Sequence, residues 1–377
     1  MALANSYWDL VSYKLRYIGL RNTLRVANLD FCEGFLYQVS KRFPGVTTSP
    51  RSVQIECTTR CNLKCSFCEL SYWTEKPADL QFENIKKMTE HLPKLKRVDL
   101  TGIGESLMNR EFFRIVEFLK SRGTYVTLND NFTMMTEKVA QRLVELEVDQ
   151  IFLSLDGATK ETYERIRAGA NFDKVIANAR GLVRIKRAMR KQRPEVKVNT
   201  VVCLTNYKEL PGILELAHDI GIGMVQFVNV ITFEDTINLD TRRVQQNLSR
   251  SLQTTLQRAR ELRMVAKIEL FDKLPVRQCD FPWKRNFVTY DGQVHPCCYT
   301  TQTGDRKAQN LRSFGDLIDR SFQEIWNSKA YSTFRKKLRN GVLPYQCQHC
   351  PKYSGEPDTR SVRNCDSRGT RRDLRPE

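Results

Sequence analysis

Long apolar runs are missing from this 377-residue chain, which excludes a membrane-spanning helix of ordinary length. Its first residues lack the compact apolar stretch and small-residue cleavage site of a secretory signal, so a cytoplasmic protein is expected. No segment repeats itself. Acidic residues are outnumbered, 43 against 61 basic ones, for a net charge of +18. Such an excess attracts anions without saying which. RNA is disfavoured as the anion, because the densest basic stretch, residues 180–193, sets Arg180, Arg184, Arg187 and Lys191 at helical spacing with no interleaved aromatics for bases to stack on. That is the pattern of a solvated helix face. A hydrophobic content of 41% is ample for a barrel plus a smaller domain, and no third domain is needed.

What the chain does have is cysteine, twelve in all. Cys61, Cys65 and Cys68 stand in the run Cys-Asn-Leu-Lys-Cys-Ser-Phe-Cys. A zinc ribbon is built from two C-x2-C pairs, whereas here a three-residue gap precedes a two-residue gap and no fourth ligand is nearby. Three thiolates on one tight loop can hold three corners of a four-iron, four-sulfur cluster, and the bare corner can bind an exogenous chelator. The loop follows an extended run, Ser52 to Glu56. Further strand candidates are Arg97 to Gly102, Tyr125 to Asp130, Gln150 to Leu155, Val196 to Val202 and Met224 to Val230, with helical stretches such as Glu111 to Arg122 and Thr136 to Leu146 between them. Six alternating strands predict an α/β fold, a partial (β/α)6 TIM-like barrel, with the cysteine loop at the C-terminal end of its first strand where reactive groups gather.

The cysteine spacing resembles that of the radical S-adenosylmethionine (radical SAM) enzymes. In that family the bare iron takes the amino and carboxylate groups of S-adenosylmethionine, and the reduced cluster cleaves it to a 5'-deoxyadenosyl radical that abstracts hydrogen from a substrate. The resemblance implies that Phe67 lies against the adenine. It makes Gly102, Gly104 and Glu105, in Thr-Gly-Ile-Gly-Glu, the counterpart of the family's Gly-Gly-Glu-Pro segment, although Ile103 and Ser106 depart from it. Two glycines there would let backbone approach a ligand, and Glu105 could pair with an ammonium group. Ser154 and Arg167 match side chains that meet the cofactor's ribose or carboxylate. Asn131 falls in a Thr-Asn-Gly position whose glycine is replaced by Phe132. Cys203 ends the fifth strand at the reactive mouth, where a thiol could return a hydrogen atom to a substrate radical.

A second cysteine set comprises Cys279, Cys297, Cys347 and Cys350. Four thiolates can close the coordination of zinc or of a four-iron cluster, and ligand count does not choose between them. Cys298 adjoins Cys297, and in an extended segment only one of the two can face a metal. The order Cys, Gly-x4-Cys, C-x2-C resembles the SPASM extension of radical SAM enzymes in its shortened, twitch form, which favours Cys297 and implies one auxiliary 4Fe-4S cluster. Around it a small β-hairpin plus helix domain is expected, from Phe287 to Tyr290, the Asp291-Gly292 turn signal and the helical run Phe322 to Asn327. Cys32, Cys57, Cys203 and Cys365 read by default as ordinary thiols, the hydrogen-donor role being an added claim for Cys203 alone.

The expected organisation is an N-terminal extension over residues 1–48, the barrel over 49–235, a helical linker over 236–270, the auxiliary domain over 271–355 and a disordered charged tail over 356–377. The extension interleaves Tyr7, Trp8, Leu10, Val11, Leu15, Tyr17 and Ile18 with Lys14, Arg16, Arg21 and Arg25. It reads as one or two amphipathic helices packed on the barrel, with peripheral membrane contact as the sharper alternative. The resemblance implies oxidation or remodelling of a sugar-like or other small metabolite, the auxiliary cluster accepting an electron, with a reductant such as flavodoxin or ferredoxin as partner. Peptide or protein side-chain modification and RNA modification are the enzymatic alternatives. A non-catalytic iron-sulfur carrier or sensor is a further one, opposed by the cofactor-pocket segments. Cyclic pyranopterin synthesis fits less well, since that family spaces its C-terminal cysteines differently.

Overall fold

The computed structural model describes residues 7–42, 50–231, 239–270, 273–301, 303–348, 350 and 352–357. Apart from residues 356 and 357, the charged tail lies outside the described residues.

The strands are β1 (Ser52–Ile55), β2 (Arg97–Asp99), β3 (Tyr125–Asp130), β4 (Gln150–Ser154), β5 (Glu195–Val202), β6 (Met224–Asn229), β7 (Val265–Glu269), β8 (Arg285–Val288) and β9 (Val294–His295). They form one nine-stranded sheet in the order β9-β8-β1-β2-β3-β4-β5-β6-β7. All neighbours are parallel except the hairpin β8-β9. Helices α2 (Phe82–Glu90), α3 (Phe112–Ser121), α4 (Glu137–Glu145), α5 (Lys160–Ile166), α6 (Phe172–Ala188), α7 (Leu210–Ile220) and α8 (Gln245–Glu261) occupy the crossovers. Each presents an apolar stripe to the sheet, as Ile115, Val116 and Leu119 do on α3. Side-chain caps start several of them: Thr136 accepts from the Val139 amide at 3.4 Å and Asn171 from Lys174 at 2.8 Å.

Two features depart from the expected organisation. The stretch 236–270, read as a helical linker, contains β7, which adds a seventh parallel strand beside β6. Its apolar residues, Val265, Ala266 and Ile268, are too few for their alternation to stand out beside α8. The auxiliary region also does not stand apart from the barrel. Its strand β8 pairs in parallel register with β1, Ser52 opposite Arg285 through Ile55 opposite Val288, and Glu56 N–H donates to Val288 O at 2.8 Å. The loops that leave β1 and β8 therefore start side by side.

Helix α1 (Tyr7–Arg42) is kinked at Gly19, whose φ is 72°. It lies across the N-terminal ends of the strands. Tyr13 packs with Met224 and Val265, and Ile18 and Val26 with Tyr125. Arg97 holds Asp30 at 2.9 Å and Glu33 at 3.7 Å. Arg25 reaches Asp149 at 2.9 Å.

Candidate active site

The loop after β1 carries Cys61, Cys65 and Cys68, and polar contacts stitch it to the ends of neighbouring strands. Lys64 and Cys65 pair antiparallel with Ala168 and Arg167, and Ser66 N–H donates to Ile166 O at 2.8 Å. The Asn62 amide donates to Thr133 Oγ1 at 2.8 Å and accepts from Asn131 Nδ2 at 3.0 Å. Cys68 N–H closes a turn onto Cys65 O at 3.1 Å.

The three thiols are close enough that the charge of one raises the next. Burial, with a smaller contribution from neighbouring thiolates, raises Cys61 to about 11 and Cys68 to about 12. Burial raises Cys65 too, opposed by Arg167, whose Nη1 lies 3.8 Å from Cys65 Sγ. Thiols that repel one another when ionised are stabilised as thiolates by cationic iron placed among them, so the donor chemistry fits a cluster. Among the described residues, no three Cys, His, Asp or Glu side chains converge as a single-ion cage.

Other candidates surround the loop in different ways. Arg167 is buried, its Nε bound to Asp156 Oδ2 at 2.7 Å; burial opposes its charge, but Asp156 and Cys65 more than offset this and hold it protonated. Asp156 is fixed from the other side by the Val201 amide at 2.7 Å. Phe67 lies with its ring centroid 5.9 Å from the Arg167 guanidinium. Ser154 ends β4 in register with Asn199.

Glu105 is buried, accepts the Asn131 amide at 2.9 Å, and faces Asp130. Burial and that second carboxylate hold its pKa far above the usual range, and burial pushes Asp130 up to about 6. The Gly104 backbone approaches protein rather than ligand: a Cβ there would strike the Thr58 and Arg60 carbonyl oxygens. Gly102 and Ile103 do line the barrel cavity. Phe132 keeps the left-handed backbone of the glycine it replaces, with φ 60°, and Asp130 accepts its amide at 2.6 Å. Cys203 is wholly buried with Ile166 and Val230 and is not brought to the cavity. Burial raises its thiol pKa.

The second set is assembled from three separated segments. Cys297 follows the hairpin β8-β9, whose turn needs Gly292 at φ 91°. Burial raises the Cys297 thiol strongly, and the charges of Cys298, Cys347, Cys279 and Cys350 raise it further. Burial pushes Cys279 up to about 12, with Cys350 adding to it. Cys298 points differently: after burial, the charge of Asp99 acts on it most, and with Asp99 and Arg285 it lines the barrel cavity. An aromatic core lies under the set, with Phe314 stacked on Tyr331 at 4.3 Å and Trp326 edge-on to Tyr331 at 5.1 Å.

A buried polar strap joins the two sets. Arg306 pairs with Glu56, which follows β1, and stacks over Trp73 and Tyr290. Glu69, the residue after Cys68, accepts the Thr303 and Gly304 amides at 2.6 Å. Between the two sets, inside the barrel, lies a cavity of 830 Å³. Phe67 and Cys68 bound it at the mouth, Cys298 and Tyr299 on the auxiliary side, and Lys14 and Asp30 of α1 at the base. Its wall mixes polar and apolar side chains, with Lys197 held to Glu195 at 3.3 Å and Lys267 to Glu269.

Sequence reasoning missed Asn62, Glu69, Asp156 and Arg306. Asp156 stands in the Ser-Leu-Asp-Gly segment beside Ser154 and was within reach. Asn62 sits between the first two cysteines, but its partners are distant in sequence. Nothing local marks Glu69 or Arg306.

Residues 55–222 match the family model of the Radical SAM superfamily, and residues 279–351 match that of SPASM, an iron-sulfur cluster-binding domain. The chain is 28% identical over 326 residues to the tungsten-containing aldehyde ferredoxin oxidoreductase cofactor-modifying protein of Pyrococcus furiosus, covering 78% of this chain and 86% of that protein. It is 24% identical over 288 residues to a probable GTP 3',8-cyclase of Methanocaldococcus jannaschii, covering 70% and 92%. Among solved structures, Streptococcus suis SuiB bound to S-adenosylmethionine superposes with a TM-score of 0.63 at 12% identity, over 76% of this chain and 68% of that one. At that identity the likeness shows the fold.

Proposed function

Because the chain belongs to the radical SAM superfamily and carries an iron-sulfur SPASM domain, we propose that it oxidises or otherwise remodels a small metabolite bound in the barrel cavity, by hydrogen abstraction. The family's cofactors are a 4Fe-4S cluster and S-adenosylmethionine, whose reductive cleavage supplies a 5'-deoxyadenosyl radical. In this reading Cys61, Cys65 and Cys68 hold three irons and leave the fourth to S-adenosylmethionine. Phe67 supplies an apolar face for the adenine, and Arg167, fixed by Asp156, places a permanent cation beside Cys65. Ser154 is within the same strand-end rim. Glu105 is committed to Asn131 and Asp130, so recognition of the methionine ammonium falls to groups at Gly102 and Ile103.

Cys279, Cys297, Cys347 and Cys350 would hold one auxiliary cluster in full, leaving no open iron for substrate; it would supply an acceptor for the electron left after hydrogen abstraction, the substrate also losing a proton in a net oxidation. The observation that carries the reading is the single cavity touching both thiol loops, through Cys68 on one side and Cys298, next to Cys297, on the other. Its 830 Å³ suits a small molecule, and α1 bounds it at the base, which favours a metabolite over a long peptide. The names of relatives, one for modifying a cofactor and one for cyclising GTP, agree with a small-molecule substrate. The net charge of +18 favours an acidic electron donor such as a flavodoxin or ferredoxin. Dependence on reduced clusters fits the cytoplasm.

The test is 5'-deoxyadenosine formation by the anaerobically reconstituted, reduced protein, with Cys61→Ala as control. Formation by the parent and loss in the variant is expected. Equal formation by both would remove the catalytic role of the Cys61 loop.

A further inference from the structure

The outer face of α1 is apolar where a monomer's surface helix is ordinarily polar. Leu20, Leu24, Phe31 and Phe35 are 64%, 60%, 73% and 59% exposed. Projected at helical spacing they fall within an arc of about 60°, along roughly 22 Å of helix. The Phe31 and Phe35 rings stack on each other at 6.4 Å. Beyond the kink the opposite face is committed to the barrel through Val26 and Glu33, and before it Tyr13 and Ile18 pack on the barrel, so the stripe cannot turn inward.

The loops packed beside α1 present cations. Arg25 binds the Gly123 carbonyl at 3.0 Å, which sets the exposed Arg122 next to the helix. Gln192 lies against Gly19, near the exposed Arg190. The Asp30 to Arg97 pair brings in Lys94 and Lys96, and the packing of Tyr13 on Val265 brings in Arg263. This clustering follows from topology, because helix C-termini and strand N-termini meet at this end and favour basic residues there. Glu90, Asp219 and Glu261 are also exposed at helix ends on this side, so the rim is basic on balance. Asp30, the acid of α1 nearest the stripe, is drawn to Arg97 and Lys14, and Glu33 is buried against Arg97 on the barrel side.

We propose that this face docks on the surface of a bilayer containing anionic lipid, with α1 lying in the interface. An apolar stripe between basic flanks is what such a surface recognises: acyl chains take the Leu and Phe side chains and anionic headgroups the flanking cations. No helix among the described residues is long and apolar enough to cross a membrane, so the contact is peripheral. A second copy of the chain fits less well, since an isologous pairing would set one basic rim against another. Docked this way, the barrel mouth with the Cys61 loop faces away from the bilayer, open to a soluble electron donor.

The experiment is flotation of the full-length, cluster-loaded protein with vesicles of phosphatidylcholine alone or mixed with phosphatidylglycerol, at low and high salt, beside its mass in solution. The parent is expected to float with the mixed vesicles and to be released by salt. Leu24→Glu with Phe31→Glu is expected to weaken this at least about tenfold, with iron content unchanged because neither side chain is packed. Arg122→Glu with Arg263→Glu tests the rim separately and is expected to weaken binding to mixed vesicles. No flotation of the parent, or flotation indifferent to the stripe variant, overturns the proposal. A parent dimer that becomes a monomer in the stripe variant also overturns it, assigning the face to a second copy.

Discussion

The two cysteine sets are built on opposite plans. The first lies within one loop, residues 61–68, held in place by side chains of neighbouring strands: Asn62 on Asn131 and Thr133, Cys65 beside Arg167. The second draws Cys279, Cys297 and the Cys347 to Cys350 turn from segments far apart in sequence and sets them over an aromatic core. Closing a short loop costs little conformational entropy, whereas joining distant segments costs more and must be offset by packing or metal. The first set is therefore a local site on a finished barrel. The second is part of what folds its own region, and the chemistry proposed for them divides the same way, with an open corner in the first and closed coordination in the second.

The largest expected break in this comparison comes from removing one ligand on each side. Cys65→Ala and Cys350→Ala should each lower bound iron by roughly half if, as proposed, each set holds one cluster of about four irons. Only Cys350→Ala should also lower the melting temperature, by at least about 5 °C. Equal melting temperatures would mean that the auxiliary set is as local as the first. Next in size is the strap between them. Arg306→Ala leaves Glu56 buried and unpaired, at a cost of about 3–5 kcal/mol in denaturant unfolding. Arg306→Met, which keeps volume but not charge, leaves the same orphan, whereas Arg306→Met with Glu56→Gln should recover part of the loss. Failure of the double variant to recover any would show that the stack on Trp73 and Tyr290, not the ion pair, holds the strap.

A smaller effect is expected from Asn62→Ala, which removes two hydrogen bonds from the Cys61 loop. It should cost about 1–2 kcal/mol and weaken S-adenosylmethionine binding while leaving the auxiliary cluster's spectrum unchanged. The smallest is a pH effect on loading. Burial holds Cys61 at about 11, and Cys68 and Cys279 at about 12, so each must release a proton to bind iron. Reconstitution should then proceed further at pH 8.5 than at pH 7 for both sets. The sign for the metal-free protein is opposite. These raised thiols contribute stability that is complete below their unfolded values and is lost as pH climbs through about 11 to 12.

The sequence made the first site easier to read than the second for the same reason that it is local. The C-x3-C-x2-C spacing sits in a single line of text, and six barrel strands stood out because buried parallel strands read as apolar runs. Strand β7 did not, being short and beside a long polar helix. The pairing of β8 with β1, which brings the two sets together, depends on register between segments more than two hundred residues apart and leaves no local trace. The choice of Cys297 over Cys298 rested on spacing; the charges of Cys347, Cys279 and Cys350 all bear on Cys297, and that of Cys350 bears on Cys298 as well. Glu105 was read by resemblance as a ligand for an ammonium. Its burial beside Asp130 could not be seen, because it follows from how β3 ends, with Phe132 left-handed and Asn131 turned to the Cys61 loop.

The most direct measurement is the electron paramagnetic resonance spectrum of two reduced variants, each with one set disabled, recorded with and without S-adenosylmethionine. Cys297→Ala keeps only the Cys61 loop cluster, and its spectrum should change when S-adenosylmethionine is added. Cys61→Ala keeps only the auxiliary cluster, and its spectrum should stay as it was. A change in the second variant, or none in the first with its cluster intact, would contradict the division into an open and a closed site.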